Sequence, residues 1–172
     1  SFLRYSPAIA VVTNIDREHL DFYKDLDDIK RVFLNFIDRV PFYGLVVLCL
    51  DNEAVQDLIP LVRKRFTTYG MNPQADLQAQ EVVLQGLSSR FTVAHQGKTL
   101  GEVVLTLPGL HNVSNALAAI AVGLELGIEF AKIKKALERV EGVQRRLEIK
   151  GEAKQITVVD DYGHHPTEIK TT

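Results

Sequence analysis

The sequence is poor in cysteine, methionine and tryptophan: its 172 residues include one cysteine, one methionine and no tryptophan. A single cysteine, Cys49, excludes a disulfide framework and any metal site built from several thiolates. The residues that follow Ser1 lack the basic start and the cleavage pattern of a signal peptide. These absences together predict a cytoplasmic protein.

Long apolar runs and an excess of charge of one sign are missing as well. The longest apolar stretches, such as LAAIAVGLELG, are too short to span a bilayer, which takes about 20 residues. Lys and Arg number 20 against 22 Asp and Glu, for a formal net charge of -2. This balance excludes the basic surface typical of nucleic-acid-binding proteins. We therefore expect no membrane insertion and no nucleic-acid partner.

A phosphate-binding loop of the form Gly-x-x-x-x-Gly-Lys-Ser/Thr is also absent. The segment HQGKTL (95–100) has Gly-Lys-Thr but no upstream glycine at the required spacing. It lies between segments of alternating polarity, so a β-turn is expected there and not a phosphate cradle.

Hydrophobic patterning predicts an α/β fold for the first half of the chain. Short apolar runs typical of buried parallel strands lie at 8–14, 45–51 and 65–70. Apolar residues recur at helical spacing over 26–40, and a second helix is expected over 53–65 with Asn52 as its cap. Buried strands separated by helices indicate a parallel sheet flanked by helices.

The second half of the chain has a different hydrophobic pattern. Residues 75–107 alternate between apolar and polar positions, which predicts a small antiparallel β-sheet. Two helices are then expected, at 111–127 with Gly127 at its end and at 129–142. The roughly 30 residues that follow are below the size of about 40 residues at which domains fold unaided. We therefore expect one unit at 1–143 and the start of a second domain at 144–172.

The first polar cluster is TNIDREHLD (13–21), at the carboxyl end of the first predicted strand. Open parallel sheets bind ligands outside the carboxyl ends of their strands. His19, flanked by Asp16, Glu18 and Asp21, is a candidate metal ligand or a base held by a carboxylate. A solvated loop before a helix explains the same residues, and the sequence leaves both interpretations open.

The second cluster is PGLHNVSNALAA (108–119), at the start of a predicted helix. Asn112 and Asn115 are three residues apart and share one helix face, with His111 just ahead. Amides donate and accept hydrogen bonds, which suits the edge of a nucleobase. Asparagine is also a favoured helix cap, so we expect one of the two to cap the helix.

The third cluster is QRRLE (144–148). On a strand, Arg145 and Arg146 would point to opposite faces, so that one faces a cleft and the other faces solvent. A guanidinium suits phosphate recognition. A pair of solvated arginines is the commoner alternative.

The fourth cluster is VVDDYGHHPTEI (158–169), where a predicted strand runs into two carboxylates, a phenol and two imidazoles. His164 and His165 could bind a metal, but no third ligand follows at a recognisable spacing. A substrate-contacting loop is the better interpretation, with anionic, donor and titratable groups supplied by Asp160, Asp161, Tyr162, His164 and His165.

Taken in order, the segments TNIDREHLD, VPFYG, PGLHNVSNALAAIAV, GVQRRLE and VVDDYGHHPTEI resemble motifs of the Mur ligase family over essentially the whole chain. DDYGHHPTE together with HNVSNALAA is most similar to the member that adds L-alanine. The resemblance implies part of a central ATPase domain followed by the start of a Rossmann-like C-terminal domain. It also implies that the family's phosphate-binding loop and a metal-binding glutamate lie upstream of Ser1.

The resemblance implies an ADP-forming amide ligase of cytoplasmic peptidoglycan precursor synthesis, with ATP and Mg²⁺ as cofactors. UDP-N-acetylmuramate and L-alanine would be the substrates, joined through an acyl phosphate. The chain by itself is expected to be inactive, and hydrophobic surface left uncovered favours its self-association. Two alternatives stay open: a muropeptide-recycling ligase that attaches a tripeptide to the same sugar nucleotide, and a non-catalytic domain that binds a nucleotide or a partner protein.

The resemblance also implies roles for individual residues. His19 matches a catalytic histidine that helps to hold magnesium, and Arg146 matches a catalytic arginine at the domain hinge that contacts nucleotide phosphate. Further residues match the ATP site, namely His111, Asn112, Asn115 and, near the ribose, Asp161. Tyr162 and His164 match catalytic residues that line the amino-acid and acyl-phosphate pocket.

Overall fold

The computed structural model describes residues 2–17, 23–164 and 166–171. The strands are β1 (Ile9–Val12), β2 (Leu45–Cys49), β3 (Phe66–Gly70), β4 (Leu77–Gln85), β5 (Ser88–His95), β6 (Lys98–Leu105), β7 (Glu148–Ala153) and β8 (Ile156–Asp160). The α-helices are α1 (Leu26–Ile37), α2 (Glu53–Gln56), α3 (Leu110–Glu125), α4 (Phe130–Leu137) and α5 (Pro166–Thr171). Short 3₁₀ turns lie at Phe2–Arg4 and Ile59–Leu61.

Six strands form one mixed sheet in the order β1 to β6. The neighbours from β1 to β4 pair in parallel, and β4, β5 and β6 pair antiparallel. Tyr69 pairs with Leu77 and Gly70 with Gln78, so the antiparallel strands continue the parallel sheet. The predicted fold class, a parallel sheet flanked by helices with an antiparallel addition, is confirmed.

Strand β2 is buried along its whole length because both faces of the sheet are covered. Leu45 and Val47 belong to the hydrophobic cluster that includes the buried face of α3. Val46 and Leu48 belong to the second cluster, with Ile29 of α1 and residues of α2. An uninterrupted apolar run is the pattern expected for a strand covered on both faces.

The helix predicted over 53–65 is shorter than expected. Asn52 does cap α2, because its side-chain oxygen accepts a hydrogen bond from the Val55 N–H at 3.0 Å. The chain then tightens into a 3₁₀ turn, in which the Leu61 N–H donates to the Leu58 carbonyl. Pro60 explains the break, since proline has no N–H and its ring clashes with the carbonyl four residues earlier.

The second helix predicted in the second half of the chain is shorter than expected, whereas the turn predicted before β6 forms. The helix predicted over 129–142 ends at Leu137, and the Val140 carbonyl beyond it accepts a hydrogen bond from the Thr106 hydroxyl at 2.7 Å. The predicted turn in HQGKTL is confirmed: Gln96 and Gly97, at φ 49° and 78°, connect β5 to β6.

Strands β7 and β8 form a second, two-stranded sheet. Its apolar side chains are exposed, including Ile149, Ile156 and Val158. Of the residues described after Gly142, none belongs to either hydrophobic cluster. In the part of the chain that the structure describes, no helix has the length and apolar character needed to cross a membrane.

Gly44 lies between α1 and β2, at a position where the packing leaves no room for a Cβ atom. A Cβ at this position would lie 2.3 Å from the Ala8 carbonyl oxygen and 2.6 Å from Val40 Cγ1. We expect Gly44→Ala to lower the free energy of unfolding by about 1–3 kcal/mol, measured by urea denaturation. Gly151→Ala is the matched control, because a Cβ there meets nothing within 4 Å. Equal denaturation midpoints for the two variants would contradict the packing described here.

Candidate functional site

A cavity of about 690 Å³ opens at the carboxyl ends of β1 and β2. Thr13 and Asn14 reach it from the end of β1, and Asn52 reaches it from the end of β2. The first turns of α3 form another wall. This is the position at which open parallel sheets place their ligands.

Five of the predicted site residues come together in this cavity, although they lie in three separate segments of the chain. They are His111, Asn112, Asn115, Arg146 and Asp161. Tyr162 and His164 are described but do not line it, and His19 lies outside the described residues. The roles assigned to these three residues stay predictions.

Some residues of the cavity wall were not predicted from the sequence as site residues. Asn52 was expected only as a helix cap, and Glu168 was given no role. Both line the cavity. The signal that could have revealed Asn52 is its place after a buried parallel strand, the same signal that drew attention to residues 13–21.

The start of α3 differs from the prediction that an asparagine caps it. The N-cap is Gly109, at φ 88°, and it makes no side-chain capping bond. Asn112 lies inside the first turn, and its Nδ2 donates to the Pro108 carbonyl at 2.7 Å. The prediction was wrong because the amide of Asn112 turns back to a carbonyl that precedes the helix.

The same amide group determines which ring nitrogen of His111 carries the proton. Asn112 Nδ2 lies 3.1 Å from His111 Nε2, so Nε2 accepts and the ring proton is assigned to Nδ1. Burial lowers the pKa of His111; the charge of Asp161 opposes this shift and that of Arg146 adds to it. His111 Nδ1 is buried and finds no hydrogen-bond partner among the described residues.

Arg145 and Arg146 lie in a turn before β7, and not on a strand as predicted. Arg145 and Leu147 have φ of 60° and 47°, a left-handed conformation in which a strand cannot begin. The Tyr162 N–H donates to the Arg145 carbonyl at 2.8 Å, which ties the turn to the end of β8. The turn places Arg146 at the cavity, while the Arg145 guanidinium lies 4.7 Å from the centre of the Tyr162 ring.

Asp161 holds this turn with its carboxylate. Oδ2 accepts from the Leu147 N–H at 2.9 Å, and Oδ1 accepts from the Gly163 N–H at 2.6 Å. The Gly163 and Leu147 hydrogen bonds lower the pKa of Asp161, and the nearby charge of Arg146 acts in the same direction. The side chain is therefore a carboxylate at neutral pH.

The charges in the cavity are of both signs. Arg146 Nη2 lies 3.5 Å from Glu168 Oε1, and Asp16 and Asp161 add two further carboxylates to the wall. Over residues 2–17, 23–164 and 166–171, no group of three or more His, Cys, Asp or Glu side chains is placed to hold a metal ion. The magnesium role of His19 is thus not tested by the described residues.

Comparison with known proteins identifies close relatives. The model of the Mur ligase middle domain matches residues 1–123. The UDP-N-acetylmuramate–L-alanine ligase of Desulfatibacillum aliphaticivorans is 65% identical over 172 residues, which is 100% of this chain and 38% of that protein. The chain therefore spans 38% of the length of this curated relative.

Solved structures resemble the chain as well. A crystal structure of MurF from Acinetobacter baumannii superposes with a TM-score of 0.87 at 26% identity, over 99% of this chain and 37% of that one. The UDP-N-acetylmuramate-alanine ligase MurC from Thermotoga maritima gives a TM-score of 0.81 at 30% identity, over 98% and 38%.

The environment of His111 can be tested by NMR titration of its imidazole. We expect its pKa to lie below the usual 6.5, because burial disfavours the charged ring. Asp161→Asn removes a charge that raises this pKa and should lower it further, whereas Arg146→Gln should raise it. Asp160→Asn is the control and should leave the titration unchanged, since Asp160 pairs with Arg145 and Lys150. A pKa above 6.5, or equal shifts from the two aspartate variants, would contradict this description.

Proposed function

The chain belongs to the Mur ligase family, and on that premise we propose that it is part of a cytoplasmic, ATP-dependent ligase that adds L-alanine to UDP-N-acetylmuramate. The observation that carries the proposal is the cavity in which His111, Asn115 and Arg146 meet at the carboxyl ends of parallel strands. The name of the relative that is 65% identical supports L-alanine as the amino acid.

We propose that residues 1–143 are part of the central ATP-binding domain and that residues 144–172 begin the C-terminal domain. The family match over residues 1–123 supports the first assignment. The second is supported by the separate β7–β8 sheet, whose described residues lie outside both hydrophobic clusters.

The cavity suits a nucleotide because it offers donors, acceptors and one guanidinium. In the proposal, Asn115 contacts the base, the ring of His111 lies beside it, and Asn112 fixes the tautomer of His111. Arg146 contacts phosphate, for which a guanidinium is well shaped. Asp161 lies near the ribose and keeps Arg146 in place through the turn.

In the proposed reaction, the lactyl carboxylate of UDP-N-acetylmuramate attacks the γ-phosphate of ATP, and ADP leaves as the acyl phosphate forms. The L-alanine amine then attacks the acyl carbon, loses a proton and expels inorganic phosphate. Tyr162 and His164, on the loop after Asp161, are proposed to contact the amino acid and the acyl phosphate. His19 is proposed to help hold Mg²⁺, which would supply positive charge where two anions must approach each other.

Phosphate release by the full-length protein tests the function. We expect release that requires ATP, Mg²⁺, UDP-N-acetylmuramate and L-alanine together, and none from this 172-residue chain alone. Release with L-Ala-γ-D-Glu-meso-diaminopimelate in place of L-alanine would indicate the recycling ligase instead. A folded full-length protein that releases no phosphate would indicate a binding module.

The neighbouring arginines give a matched pair of variants for the nucleotide site. Arg146→Gln should lower kcat/KM for ATP by about tenfold or more, because a phosphate contact is lost. Arg145→Gln makes the same change in charge one residue away, on the side of the turn that faces Tyr162. The kcat/KM of this variant for ATP should stay close to that of the wild type, as measured by steady-state kinetics with varied ATP. Equal losses for the two variants would contradict the assignment of Arg146 to the phosphate site.

A further inference from the structure

The carboxylate of Glu168 connects two of the predicted site residues. Oε1 lies 3.5 Å from Arg146 Nη2 at the cavity. Oε2 accepts a hydrogen bond from the His164 N–H at 3.1 Å and lies 3.4 Å from His164 Nδ1. The Glu168 side chain therefore contacts both Arg146, in the turn at 145–147, and the loop that carries Tyr162 and His164.

The position of Glu168 in α5 explains why it can do this. The helix begins at Pro166, so Glu168 is its third residue, and its side chain reaches back to an N–H that precedes the helix. A glutamate at the third position of a helix commonly accepts from the N–H of the residue just before the helix, and here it accepts from the N–H one residue further back. The bond to the His164 N–H limits the freedom of the carboxylate and directs its other oxygen toward Arg146.

The ion pair with Arg146 is partly open to solvent, with 52% of the Arg146 side chain exposed and 29% of the Glu168 side chain. Exposed pairs of this kind contribute little to stability. Their geometry can still matter in a site where reacting groups must be held at a set distance. The contact is therefore better placed to orient Arg146 than to stabilise the fold.

We propose that Glu168 is a positioning residue, which sets the place of the Arg146 guanidinium relative to His164. The proposal rests on the function proposed above, in which Arg146 contacts nucleotide phosphate and His164 lies at the amino-acid pocket. Glu168 would thereby connect the nucleotide and amino-acid ends of the site without itself touching the reacting atoms.

Two variants of the full-length protein separate the contacts of Glu168 with Arg146 and with His164. Glu168→Gln keeps an oxygen that can accept from the His164 N–H but loses the charge that faces Arg146. We expect it to raise the KM for ATP by about three- to fivefold, the upper part of the range that an exposed ion pair supports, and to leave the KM for L-alanine unchanged. Glu168→Ala loses both contacts and should raise both KM values.

Glu152→Gln is the matched control, because Glu152 is an exposed glutamate on the neighbouring β7–β8 hairpin. Glu168 variants that behave like this control would overturn the proposal. A lower KM for ATP in Glu168→Gln would overturn it too, since the carboxylate would then compete with phosphate for Arg146. If the wild type releases no phosphate, the proposed function fails, and direct ATP binding decides this inference. A Kd for ATP that rises by about three- to fivefold in Glu168→Gln but not in Glu152→Gln supports it, and equal Kd values overturn it.

Discussion

The Asp161 carboxylate holds together the two segments that bring Arg146 to the cavity. Its two oxygens accept backbone hydrogen bonds from Leu147 and Gly163. Leu147 and Arg145 both have positive φ, which costs non-glycine residues free energy and persists only where surrounding contacts fix it. These bonds, together with the one from the Tyr162 N–H to the Arg145 carbonyl, fix the turn that places Arg146 beside the cavity.

A second constraint lies across the cavity, at the start of α3. Gly109 has a φ of 88°, and a Cβ there would lie only 2.7 Å from His111 Cε1. The imidazole therefore packs against the glycine backbone, where a side chain would displace it. Asn112 then fixes the ring from the other side through Nε2. The helix start thus holds a neutral histidine at the cavity wall, with its Nδ1 buried and without a hydrogen-bond partner among the described residues.

The parts of the structure set by periodicity could be predicted, and the parts set by long-range contacts could not. The apolar run at 45–51 predicted strand β2, because burial on both faces leaves a local pattern. Arg146 and Asp161 were identified as site residues through the resemblance to a known family and not through periodicity, and both line the cavity. The left-handed turn at 145–147 left no such pattern, because it depends on a carboxylate 14 residues from Leu147. Glu168 was missed for the same reason.

A crystal structure of the full-length protein with a non-hydrolysable ATP analogue would test the nucleotide assignment most directly. We expect the base within hydrogen-bond distance of Asn115 and next to the His111 ring, and the phosphates beside Arg146. The left-handed turn and its bonds to Asp161 should remain in place. A nucleotide bound elsewhere, with the cavity at the ends of β1 and β2 empty, would contradict the assignment of this cavity.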